Sequence, residues 1–219
     1  MVLRWILLGI GIVAIGTMAW LLWKPVPESA PVASIEPVSS VSSQLTTSPK
    51  PQPLPTHIEP VANFAERVTK KPFGIHVTPQ DSPVQPEHFT GYHTGADSEY
   101  GDVDSDVPVH AVADGEVVLS RLAQGYGGVM VIRHTKNDKT FLALYGHLKP
   151  SSILKTGTKV SAGEQIAILG KGFSAETDGE RKHLHFAIIK GDTVTIKGYV
   201  QTKAELDGWE DPVTFLKSL

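Results

Sequence analysis

"ERKHLHFAI", residues 180–188, carries two histidines one residue apart in a run that reads as the start of a β-strand. On an extended chain, side chains two apart project from the same face. His183 and His185 therefore stand side by side, while Leu184 and Phe186 turn the other way. Such a strand has one polar, ligand-bearing face and one face for a core.

Outward from this run, the chain past about residue 72 is built of short β-prone segments separated by turn residues. "PVHAVADGEVVLS" (108–120) alternates and is broken by Asp114-Gly115, a bend signal. "GGVMVIRH" (127–134) and "TFLALYGHL" (140–148) are strands joined by the turn "KNDK" (136–139). "KVSAGEQIAILG" (159–170) is a turn followed by a buried strand, and "KHLHFAIIKGDTVTIKG" (182–198) reads as a hairpin turning at Gly191-Asp192. In "DGWEDPVTFLKSL" (207–219), Asp211 as N-cap and Pro212 at the first helical position predict a short terminal helix. The expected fold is all-β, a compact antiparallel sheet sandwich or barrel-like pair.

Composition narrows the function. The chain has 219 residues, a formal net charge of −3 and no long basic run, which argues against a nucleic-acid partner. It has no cysteine, so disulfides, cysteine-ligated zinc and cysteine nucleophiles are excluded.

The N-terminal third has its own character. Trp5 to Trp23 is a run of nineteen residues without a charge, flanked by Arg4 and Lys24. As a helix it would rise about 28 Å, close to the hydrocarbon thickness of a bilayer, with tryptophans at both interfaces. Length and flanks favour an uncleaved anchor over a signal peptide cleaved after Thr17-Met18-Ala19. Under either reading the chain from Lys24 onward is expected outside the cytoplasm, at the membrane. Residues 25–60 hold nine prolines among Ser, Thr and Val and read as an extended, disordered linker. The expected organisation is thus an anchor (1–24), a linker (25–60) and a globular domain (61–219), with a short helix at "EPVANFAERV" (59–68).

Four of the nine histidines, with one aspartate, recur at predicted strand ends: His93 and Asp97 in "GYHTGADSEY", His147 in "LYGHL", and the pair His183 and His185. A catalytic zinc takes three N or O ligands, keeps a position for water and lowers that water's pKa to about 7. Two further imidazoles would serve as a proton-transfer group and an oxyanion donor. Spacing alone does not divide the five residues between these roles. No His-Glu-x-x-His helix motif is present.

"YHTGAD", "YGHL" and "KHLHF", in this order, resemble the signatures of the lysostaphin/LytM-type zinc metallopeptidases, and "VPVHAVADGEVV", "YGGVMVIRH" and "KVSAGEQIAILG" resemble that domain's connecting strands. The resemblance covers about residues 84–190 and implies a duplicated hybrid β-motif. It also implies one Zn²⁺ held by His93, Asp97 and His185, with His147 and His183 assisting the water and the transition state. The implied activity is that of an endopeptidase on the peptides of cell-wall peptidoglycan. A non-catalytic wall-binding or regulatory scaffold of the same fold is the alternative, and the five filled positions favour the enzyme. A cytoplasmic carrier domain of the wider hybrid-motif group conflicts with the anchor. The chain departs from the family in "ETDGERKHLHF", where a small-residue loop is usual, and in the acidic "SEYGDVDSD" after Asp97. Both loops are expected to border the cleft and set substrate preference.

Other patterns have plainer readings. "DVDSD" (102–106) has Val107 where a calcium loop needs Gly, so it is a solvated acidic loop. "SILKTG" (152–157) overlaps two motifs that must lie far apart to function together. His57, His76, His88 and His110 have no pattern partners, and His134 ends a strand where it could line a cleft.

Overall fold

A computed structural model of the protein describes residues 58–219. The expected anchor and nearly all of the expected linker lie outside the described residues. Among those described, no helix is long and apolar enough to cross a membrane.

The strands, in chain order, are β1 (His76–Val77), β2 (Gly91–His93), β3 (Ala96–Glu99), β4 (Pro108–His110), β5 (Asp114–Ala123) and β6 (Gly127–Lys136). They continue with β7 (Lys139–Leu148), β8 (Lys159–Val160), β9 (Gln165–Ile168), β10 (His183–Ile189), β11 (Tyr199–Val200) and β12 (Trp209–Glu210). Two short helices, α1 (Lys203–Leu206) and α2 (Pro212–Ser218), lie near the C-terminus. The main sheet runs β12-β10-β7-β6-β5-β8, with β3 also paired to β10. A three-stranded sheet β1-β2-β11 and a ribbon β4-β9 complete the described residues. The domain is all-β as expected, and its sheets are open, with no closed barrel among the described residues.

β6 and β7 form the long hairpin that the sequence predicts. Asn137 and Asp138 both adopt the left-handed conformation, φ +49° and +60°, which a two-residue turn between twisted strands requires. Alternate residues of the central strands feed two cores on opposite faces. Met130, Ile132, Tyr145, Leu184, Phe186 and Ile188 belong to one; Val129, Val131, Leu144, Ala187 and Ile189 belong to the other. The period-2 reading of β10 therefore holds, with both histidines on the face opposite Leu184 and Phe186. At the C-terminus, the Asp211 side chain accepts from the Val213 N–H (3.0 Å) and Pro212 begins α2, as predicted.

Three local expectations fail. Residues 182–198 do not form a hairpin: β10 pairs with β7, β3 and β12, and the chain after Gly191 instead reaches β11, which pairs with β2. Pairing with non-local strands satisfies both backbone edges of β10, where a two-stranded hairpin would leave one edge open. Residues 59–68 make a run of turns, since Asn63 takes φ +56° and only Arg67 N–H reaches back four residues, to the Asn63 carbonyl. The bend in 108–120 falls at residues 111–113, so Asp114-Gly115 opens β5.

His134 lies in the core and lines no cleft. Its Nδ1–H donates to the Ala113 carbonyl (2.8 Å), and its Nε2 accepts from the Tyr145 hydroxyl (2.8 Å), which accepts in turn from the Val112 N–H (3.3 Å). Burial pushes the imidazole down to about 4. The unfolded chain binds this proton below about pH 6.5, while the folded chain resists it until about pH 4. The resulting stabilisation is complete above pH ~6.5, shrinks as pH falls, and is lost by about pH 4, on the order of 3 kcal/mol in all. Urea unfolding at pH 7 and pH 4 should show wild type losing about 3 kcal/mol more than His134→Gln over that interval.

Candidate metal centre

The site is assembled where β10 lies between β3 and β7. His185 stands directly opposite Asp97 on one side and Gly146 on the other. His93 ends β2, and the two residues Thr94-Gly95 return the chain into β3, bringing His93 and Asp97 to one place. Gly95 is required by close approach: a Cβ there would lie 2.5 Å from the Phe186 carbonyl oxygen and 2.9 Å from the His185 ring.

Three donor atoms converge. His93 Nε2 lies 3.0 Å from His185 Nδ1 and 3.1 Å from Asp97 Oδ1, and His185 Nδ1 lies 3.0 Å from Asp97 Oδ1. All three residues are buried. The Nδ1–H of His93 donates to the Pro72 carbonyl (3.2 Å), so its Nε2 presents a lone pair to the other two atoms. Three acceptors packed in this way repel unless a proton or a cation sits among them. Donors at about 2.0–2.1 Å around a tetrahedral zinc lie roughly 3.3 Å apart, close to the observed spacing. The residues therefore fit a zinc ion.

The electrostatics agree. Burial alone would raise the Asp97 carboxyl, but the imidazoles packed around it, His93 and His183 foremost and His185 beside them, hold it well below the usual carboxylate range. Burial pushes the His185 imidazole down to about 4, against the pull of Asp97. An ionised carboxylate beside a neutral imidazole is the donor set that a divalent cation takes.

His147 and His183 adjoin the triad. The β6–β7 register slips at Gly128/Val129, pairing Gly128 with Leu148 and Val129 with Gly146, which leaves His147 as an extra residue in a bulge. Its φ of +59° is uncommon for a residue with a Cβ. The bulge turns its ring against that of His183, with centroids 4.1 Å apart. His183 Nδ1–H donates to the Arg181 carbonyl (2.8 Å), leaving Nε2 3.4 Å from Asp97 Oδ2. Burial, reinforced by His183, holds the His147 imidazole well below its ordinary range. His147 Nδ1, His185 Nε2 and the Tyr126 hydroxyl are buried without a protein partner.

The structure thus brings all five predicted residues together. Sequence reasoning passed over several others that shape the site. The Tyr126 ring sits 5.2 Å from that of His147 and 5.5 Å from that of His185, in space kept open by Gly146, where a Cβ would meet it at 2.6 Å. Tyr199 lies 5.2 Å from the His93 ring. The Lys71 carbonyl accepts from the Asp97 N–H (3.0 Å), and the Lys71 side chain makes a buried ion pair with Glu87. A cleft of about 330 Å³, lined in part by Phe89, Tyr126, Ile196 and Tyr199, opens onto His185. The only signal in the sequence for Tyr126 was its setting among glycines 125, 127 and 128.

Residues 91–197 match the family model described as Peptidase family M23. Over 62 residues the chain is 44% identical to the murein hydrolase activator EnvC of Escherichia coli (strain K12), a match covering 28% of this chain and 14% of EnvC. Over 97 residues it is 38% identical to an uncharacterized protein of Haemophilus influenzae, covering 43% of this chain and 21% of that protein. The matches thus span less than a quarter of either relative. The solved structure of LytU is similar over 68% of this chain and 86% of LytU, with 25% identity and a TM-score of 0.44.

Asp97→Ala removes one of the three converging donors. The full-length chain bearing it, or His185→Ala, is expected to lose zinc that wild type retains through gel filtration, as measured by elemental analysis.

Proposed function

We propose that this protein, whose residues 91–197 match the model of Peptidase family M23, is a zinc metalloendopeptidase that hydrolyses the peptide cross-links of cell-wall peptidoglycan. The observation carrying this reading is the convergence of His93 Nε2, Asp97 Oδ1 and His185 Nδ1 beside two further imidazoles. A zinc ion held there would polarise the scissile carbonyl and make its bound water acidic enough to attack at neutral pH.

The protein's own groups supply the rest. His183 has its Nδ1 proton committed to the Arg181 carbonyl, so Nε2 is the atom that accepts a proton from the attacking water. The imidazolium so formed is stabilised by Asp97 Oδ2, 3.4 Å away. His147, kept neutral by burial, is poised to donate an N–H to the developing oxyanion. The cleft beside His185, walled by Phe89, Tyr126 and Tyr199, offers aromatic surface to a peptide.

An anchor at residues 1–24 and a proline-rich linker at 25–60 would hold the domain at the membrane, outside the cytoplasm, with reach toward a polymeric substrate. This part of the proposal rests on the sequence alone.

A second reading has one observation in its favour: the relative sharing 44% identity over 62 residues is named as a murein hydrolase activator. Under it the domain would bind wall or partner without cutting. The five filled positions support the enzyme instead.

The two readings separate on purified peptidoglycan. The full-length chain should release fragments with new amino termini, identified by mass spectrometry, and lose that activity with a zinc chelator. His147→Ala and His183→Ala should keep the zinc and slow hydrolysis by about 10²–10⁴-fold. Wild-type protein that holds zinc and yields no new amino termini from peptidoglycans of any cross-bridge chemistry would favour the activator reading.

A further inference from the structure

The stretch "ERK" that precedes the two histidines was expected to face the cleft. Arg181 does the opposite: it is turned inward and only 6% exposed. Its Nη2–H donates to Asp97 Oδ2 at 2.8 Å, the oxygen turned away from the three-donor cluster. Glu99 grips the same guanidinium along its Nε–Nη2 edge. Nε donates to both Glu99 carboxylate oxygens (3.0 and 2.9 Å), and Nη2 also reaches Glu99 Oε1 (2.8 Å). Lys182 likewise does not face substrate, because its Nζ donates to the Val103 and Ser105 carbonyls (2.8 and 2.7 Å) and ties down the acidic loop.

We propose that Arg181 is a positioning residue for the metal-binding carboxylate, fixing which oxygen of Asp97 is offered to the metal. The proposal rests on the metallopeptidase reading above. A carboxylate has two equivalent oxygens on a soft, two-fold torsion. Left alone, Asp97 could swing, bind through both oxygens or present either one. A planar guanidinium bound to Oδ2 holds the group in one rotation and leaves Oδ1 pointing at His93 Nε2 and His185 Nδ1. Glu99 keeps the guanidinium from drifting and balances its charge, so the Arg181–Glu99 pair orients Asp97 and adds little net field at the metal position. The same residue acts a second time through its backbone, since the Arg181 carbonyl holds the Nδ1 proton of His183. One residue thereby orients a metal ligand with its side chain and a neighbouring imidazole with its main chain. A lysine replaces it only in part, because a single ammonium does not span both carboxylates in the plane of a fork.

The experiment measures zinc affinity of the full-length chain by competition with a chromophoric chelator, with thermal unfolding of the metal-free forms as the control for folding. The double variant R181M/E99Q removes one positive and one negative charge together, leaving net charge unchanged and orientation lost. It is expected to bind zinc about 10–100-fold more weakly than wild type, as losses of groups that orient metal ligands generally do. Arg181→Lys should fall between the two. The cobalt-loaded variants should also show altered visible absorption, reporting a changed carboxylate binding mode that a purely structural role for Arg181 would not produce. Zinc affinity and cobalt spectra equal to wild type in a folded double variant would overturn the positioning role. Should the double variant fail to fold, parity of Arg181→Lys with wild type overturns it equally. Wild-type protein that binds no zinc overturns the metal reading and this proposal together.

Discussion

The pairing of β10 between β3 and β7 is the constraint on which the rest of the site depends. It sets His185 opposite Asp97 on one side and opposite Gly146 on the other, without slack. Register in a sheet is all or nothing: a slip of one residue would turn Leu184 and Phe186 toward the polar centre and bury His183 and His185 among the apolar residues of the other face. Because both faces of β10 are buried, that slip is opposed on both sides at once. The strand is thus held in register by the cores, and the cores place the converging donors.

The centre created in this way is electrostatically demanding. A carboxylate, two close imidazoles and a second pair of imidazole rings, His147 and His183, sit in a space with almost no access to water. Buried charge is tolerated only when compensated. Here compensation comes from two directions, the imidazoles on Oδ1 and Arg181 on Oδ2, while the Asp97 N–H donated to the Lys71 carbonyl locks the backbone. What is not satisfied by protein is informative. His147 Nδ1, His185 Nε2 and the Tyr126 hydroxyl are left over, three buried polar atoms whose partners lie outside the protein's own groups.

Several of these supports come from outside the segment that matches the family. Pro72, which fixes the His93 tautomer, and Lys71, which fixes Asp97, precede residue 91. Val61 and Phe64 of the same stretch insert into the larger core, where Phe64 meets Phe186 edge to face at 5.4 Å. His93, Asp97 and His185 thus lie within the matched segment, and part of what orients them precedes it.

Much was legible from the sequence because it depended on short-range geometry. The period of two in "KHLHFAI" placed both histidines on one face, the Asn137-Asp138 turn joined the long hairpin, and Asp211-Pro212 began the last helix; each of these rules acts within a few residues. Where the partner lay far along the chain, the same rules misled: Gly191-Asp192 looked like the turn of a hairpin, but β10 found its neighbours at β3, β7 and β12. Arg181 was expected to border the cleft with its loop, because nothing nearby in sequence reveals that Asp97 and Glu99, more than eighty residues earlier, lie opposite it. The sequence alone determined which five residues could carry the chemistry and that the domain would be built of strands. Only the tertiary structure decided which atoms of those residues meet, because non-local strand register and the bulge at His147 are set by burial against distant neighbours and leave no local trace.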